Sequence, residues 1–262
     1  MQPYIGITGF MSNHEVETVL GNTEKIPEKL LTCAAAHRLI MIGVLASFKT
    51  LNGLPNKWPN RYPLVANIAD IFSNHRLALN LIHYHTTSSD TLLDELKLLT
   101  ELGGPNLHGF QLNIVWPDPQ VLRFYKNKHS DKKIVLQISD KTLAAIDNLS
   151  CDLVTKIFSQ YAECIDYILL DASGGHGRLF DFVSIYPLLK LLEGRAKYNN
   201  IGLGVAGGLY ADTIHHLREL SQRFPNISWD AEGCLRNASD QLDLIKAENY
   251  LDKSLALFSS LR

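Results

Sequence analysis

Short apolar runs alternate with stretches of helical spacing along the whole chain. Eight runs have strand character: Tyr4–Thr8, Leu39–Leu45, Leu77–Ile82, Gly109–Val115, Lys133–Ile138, Tyr167–Asp171, Gly202–Ala206 and Ile227–Asp230. Most are nearly continuous in Val, Ile and Leu, as strands covered on both faces are. Between them, Leu92, Leu93, Leu96 and Leu99 mark a helix over Asp90–Leu102, whose acidic start suits a cap and first turn. Tyr210–Phe224 and Ser239–Leu261 carry the same spacing. Lys141–Cys164 has room for two helices broken near Asn148-Leu149-Ser150, and Pro55–Pro63 reads as a loop punctuated by Pro and Asn.

Eight strand–helix units in this order predict an α/β protein with a closed (β/α)8, TIM-type barrel. An open doubly wound sheet is the alternative. No low-complexity linker interrupts the pattern, so residues 1–262 read as one barrel domain. The formal net charge of −2 provides no global positive field. Neither nucleic acid nor a membrane is therefore expected as a partner, and an anionic ligand must be held by local donors. The four cysteines form no CxxC pair, which favours a reducing, cytoplasmic setting over a disulfide scaffold or a zinc site. The start of the chain lacks a basic segment followed by an apolar one, so no secretory leader is expected, and the apolar runs are too short to span a bilayer.

In such barrels the chemistry sits on the loops after the strands, with phosphate often held after the seventh and eighth. Gly207-Gly208 follows the seventh run and leads toward a predicted helix, where backbone N–H groups and the helix dipole favour an anion. Gly233 follows the eighth run, and Gly174-Gly175-His176-Gly177 follows the sixth. A tight turn explains any one of these clusters. Three on consecutive strands point to a site for a phosphorylated small molecule. His83 and His85 share a face past the third run, a spacing that could also hold a metal in a barrel hydrolase. The fifth and sixth runs offer Gln137 and Asp171 rather than further histidines, so no metal is assigned. Asn80 and Asn113 interrupt apolar strands and need partners, from ligand or protein.

The sixth unit, Leu169-Leu170-Asp171 through Gly174-Gly175-His176-Gly177 to Phe180-Asp181-Phe182, is similar to the LLLD…GGTG…FDW run of the phosphoribosylanthranilate isomerase family of tryptophan biosynthesis. Val205-Ala206-Gly207-Gly208-Leu209 resembles its LAGGL, Asp230-Ala231-Glu232-Gly233 its DVSSG, and Ile5-Gly6-Ile7-Thr8 its CGIT. The likeness spans the whole chain, and its specific part is the sixth and seventh units.

The resemblance implies a barrel without a cofactor that rearranges a phosphoribosyl amine, with Asp171 as general acid. Gly207, Gly208 and Gly233 would shape the phosphate site, and Gly174, Gly175 and Gly177 the adjacent wall. Lys49 matches the family's arginine in an SPR run, keeping the charge but not the bidentate fork. Asn113 matches a histidine. Ile5 matches the family's catalytic cysteine, and losing a general base typically costs ~10²–10⁴-fold. His83 is the first candidate to replace it, and Cys234 is a displaced thiol or a small buried hydrophobe. Glu232 stands where the family has a phosphate-loop serine, and a carboxylate there opposes a bound phosphate unless it points away. The alternatives are a phosphosugar-binding or sensory barrel without turnover, and a metal-dependent hydrolase. The oligomeric state is not legible.

Overall fold

The computed structural model describes residues 1–21, 37–114, 116–139, 150–171 and 182–259. Eight parallel strands close in sequence order. They are β1 (Tyr4–Thr8), β2 (Leu39–Ser47), β3 (Ala78–His85), β4 (Gly109–Leu112), β5 (Lys133–Ser139), β6 (Tyr167–Asp171), β7 (Gly202–Ala206) and β8 (Ile227–Ala231). β8 returns to β1 through Ile5↔Trp229, Gly6↔Asp230 and Ile7↔Ala231, which excludes the open sheet. Around the barrel lie α1 (Asn13–Leu20), α2 (Leu92–Gly103), α3 (Pro119–Lys128), α4 (Ser150–Gln160), α5 (Phe182–Ala196), α6 (Leu217–Arg223) and α7 (Leu244–Ser259). Among the described residues, no helix is long and apolar enough to cross a membrane.

Strand alternation divides the apolar residues between two cores. Ile5, Ile7, Ile40, Ile42, Ile134, Ile168 and Val205 pack in the layer under the helices. Tyr4, Met41, Leu79, Leu81, Val135, Tyr167 and Leu169 fill the barrel itself. Each such side chain contributes about 1.5–3 kcal/mol by leaving water.

Several boundaries differ from the expected ones, for local reasons. β3 extends to His85, so both histidines are strand residues rather than loop residues. β4 stops at Leu112, short of the expected Val115, which lies outside the described residues. α2 starts at Leu92 without a side-chain cap; the expected cap, Asp90, accepts from Ser89 instead. The helix expected over Tyr210–Phe224 is reduced to a 3₁₀ turn, Ile214–His216, and the seven-residue α6. Thr213 is the cause: its hydroxyl accepts from the Tyr210 N–H at 2.9 Å and bonds Gly208 O at 3.0 Å, closing a turn where a helix would begin. α7 starts at Leu244 rather than Ser239 because Asn237 Oδ1 captures the N–H groups of Ser239 and Gln241. Of the Lys141–Cys164 segment, α4 is the described helix.

Candidate active site at the barrel mouth

Above the apolar filling, the inward positions become polar. Thr8, His83, Gln111, Gln137, Asp171 and Asp230 come from six strands, each in register with the inward residues below. Their side chains join across the barrel. Gln137 Nε2 donates to Asp171 Oδ2 at 2.9 Å. Gln111 Nε2 donates to Gln137 Oε1 at 3.3 Å and to Asp230 Oδ2 at 3.2 Å. Thr8 Oγ1 donates to Asp230 at 3.1 Å. A polar layer thus links a carboxylate on β6 to one on β8 through two amides.

Burial drives the electrostatics of this layer. Asp230 is pushed up to about 7, chiefly by desolvation, with Glu232 and Asp171 adding to the rise against the hydrogen bonds from Gln111 and Thr8. His83 is lowered below the usual imidazole value by burial, although Glu232 and Asp171 pull it the other way. It is neutral at pH 7, and its Nδ1 has no hydrogen-bond partner.

A second group of charges sits between the loops after β2 and β8. Arg61 donates to Asp240 from Nε at 2.8 Å and from Nη2 at 2.7 Å, and from Nη1 to Glu232 at 3.2 Å. Asn60 Nδ2 donates to Ser239 O at 2.9 Å. Glu232 Oε2 is 3.7 Å from His83 Nδ1, which joins this group to the polar layer. Arg236, on the β8 loop, lies buried against Gly9 just past β1. Gly9 has φ +114, and a Cβ there would collide with the guanidinium, so this approach requires glycine.

The structure brings some expected residues together and leaves others apart. Asp171 and His83 face the same patch around Gln137. Asn113 lies just past β4, half-buried, with its carbonyl bonded to His85 Nδ1 at 2.9 Å. His85 itself is exposed. Lys49 is exposed on the single helical turn Phe48–Leu51, and Arg61 from the same connection reaches the mouth instead. Gly207 and Gly208 have φ of +118 and +63, a left-handed turn suited to glycine. α6 begins nine residues after Gly208, so no α-helix dipole points at that turn. Gly233 is exposed, has no positive φ and has open space at its Cβ position, so nothing in its backbone demands glycine. Gly174, Gly175, Gly177 and His176 lie outside the described residues.

Ile5 does not point into the mouth. It packs under the helices, and the inward residues of β1 are Tyr4, Gly6 and Thr8. Asn80 is structural, its amide donating to Ser73 O and Asn106 O at 2.7 and 2.8 Å. Cys234 is half-buried, and desolvation raises its thiol, opposite to what a nucleophile needs. Among the described residues, no three His, Cys, Asp or Glu side chains gather as a metal site requires. The sequence reading missed Asp230, Arg61 and Arg236. Asp230 had a signal, a carboxylate at an inward position of an apolar strand, whereas the two arginines sit in irregular loops without one.

No family model and no curated protein matches the chain. Solved structures do. A phosphoribosyl anthranilate isomerase from Thermus thermophilus superposes with a TM-score of 0.61 at 13% identity, covering 99% of this chain and 100% of that one. TrpF from Jonesia denitrificans gives 0.61 at 17% identity over 99% and 100%. The catalytic domain of a Pyrococcus furiosus chitinase gives 0.54 at 8% identity over 100% and 97%. The likeness read in the sequence thus recurs in three dimensions. At these identities it establishes the TIM-barrel fold, which barrels of other chemistry share.

Proposed function

We propose that this chain is an isomerase-type barrel that binds a phosphorylated, ribose-type small molecule at its mouth and moves protons on it in the cytoplasm. The carrying observation is the meeting of a buried, neutral His83 with Asp171 around Gln137, at the strand ends where such barrels work. A carboxyl group and an unprotonated imidazole make an acid–base pair. In an Amadori-type rearrangement, Asp171 delivers a proton to the furanose ring oxygen as the ring C–O bond breaks to give a Schiff base. His83 then takes the proton from the neighbouring carbon, and the electron pair left behind forms the enamine that tautomerises to the ketone. Gly207 and Gly208, with Gly233, are the proposed phosphate contacts, Gly174, Gly175 and Gly177 the wall beside them, and Lys49 and Asn113 the outer contacts.

Turnover of phosphoribosylanthranilate, followed by fluorescence, tests this reading. Asp171→Asn and His83→Asn should each lower it by ~10²–10⁴-fold. A folded wild-type protein without turnover removes the isomerase reading. If ribose 5-phosphate still raises its melting temperature, the phosphosugar-binding reading takes its place. That second reading is favoured by β1, where Ile5 faces the helices and the inward Gly6 and Thr8 put no ordinary general base at the mouth.

A further inference from the structure

Glu232 is ringed by donors that it satisfies poorly. Its Oε1 is 3.2 Å from Arg61 Nη1 and 4.0 Å from Arg236 Nη2, and its Oε2 is 3.7 Å from His83 Nδ1. Arg236 donates from Nη1 to the Asp240 carbonyl at 3.1 Å, but its Nε and Nη2 have no hydrogen-bond partner. A buried guanidinium with open donors is costly to maintain. It is also held firmly, against Gly9 on one side and with its own carbonyl bonded by Lys246 Nζ at 2.7 Å. Arg61 is anchored separately, by its fork on Asp240 and by packing on the Trp58 ring at 4.9 Å.

The two sides differ in freedom. The Arg236 side chain is 3% exposed, while that of Glu232 is 24% exposed. The carboxylate can rotate into solvent while both guanidiniums stay in place. The two arginines are then left with Asp240 and the more distant Glu15, and the unpartnered Nε and Nη2 of Arg236 are open to an incoming anion.

We propose that Arg61 and Arg236 form an oxyanion site, and that the Glu232 carboxylate is a tethered stand-in which the ligand's own oxyanion displaces. The inference rests on the mouth being the ligand site and needs no turnover. A phosphate and a carboxylate present the same oxygens to a guanidinium, so the two are separated by experiment.

Inorganic phosphate and benzoate are titrated calorimetrically, at fixed ionic strength, into the wild type, Glu232→Gln and Glu232→Gln/Arg61→Gln. Glu232→Gln should bind one of these anions about tenfold tighter or more, the size of one freed charge-assisted contact, and adding Arg61→Gln should remove the gain. Phosphate as the tightened anion assigns the site to the ligand's phosphate end, and benzoate to a carboxylate. Glu101→Gln, an exposed charge on α2, controls for net charge and should change neither affinity. Unchanged or weaker binding in Glu232→Gln, or an equal gain in Glu101→Gln, overturns the inference. Arg236→Gln is not required, so a folding failure there leaves the result standing. Tightened anion binding in a protein inert toward phosphoribosylanthranilate keeps this inference and removes the isomerase reading; turnover without tightening does the reverse.

Discussion

Asp230 makes stability depend on pH through a single buried group. Its proton is held to about 7 in the folded barrel but released near the ordinary carboxyl value once unfolded. Between those values the folded state binds more protons, so stability falls as pH rises from about 4 to 7 and levels off above. The swing is up to about 4 kcal/mol. Asp230→Asn should remove this slope, read as the difference between wild-type and variant melting profiles; parallel profiles would mean that Asp230 ionises normally. His83 acts oppositely, its lowered value adding stability as pH rises toward 6.5. Gly6 makes the Asp230 arrangement possible, because a Cβ there would lie 2.7 Å from Oδ1 and 2.6 Å from the Met41 methyl. Gly6→Ala should destabilise by about 1–3 kcal/mol in chemical denaturation. The clearance at Gly6 is not legible from residue types, whereas Asp230 is marked only as a carboxylate at an inward strand position, without its raised proton affinity.

At the level of elements, the strands were legible and the helix starts were not. Apolar runs mark β1 to β8 because strands buried on both faces leave a composition signal. Thr213 and Asn237 defeat the helical spacing by bonding backbone groups that a helix would use, and that competition does not appear in an apolar pattern. The connection between β2 and β3 and the segment after β8 are bound together by Arg61–Asp240 and Asn60–Ser239, across the top of β1. Asp240→Ala should speed amide exchange in residues 52–63 while leaving β1–β8 protected. Global stability should change by only about 0.2–1 kcal/mol, as for other partly exposed pairs.

On the scale of the whole molecule, the barrel has an apolar floor and a polar ceiling. Leu169→Ala in the floor should cost about 2–5 kcal/mol, measured by denaturant midpoint. The ceiling draws on strands from both halves of the chain: Thr8, His83 and Gln111 from the first, Gln137, Asp171 and Asp230 from the second. The sequence reading foresaw the barrel and placed Asp171 at the end of its strand; it set His83 just past the third run, where the structure makes it a residue of β3. It named His83 as first candidate for the proton carrier that Ile5 cannot be, but passed over Asp230 of β8, which the closed sheet sets directly beside Gly6.

Thr8 and Asp230 are separated by 222 positions yet share a hydrogen bond, because the eighth strand is also the neighbour before the first. A gene is read from end to end, whereas a closed sheet has no ends. The first and last strands can therefore build one polar layer together, although they stand at opposite ends of the sequence. For barrels of this kind, distance along the chain is a poor guide to which side chains meet at the mouth, and position around the circle is the better one.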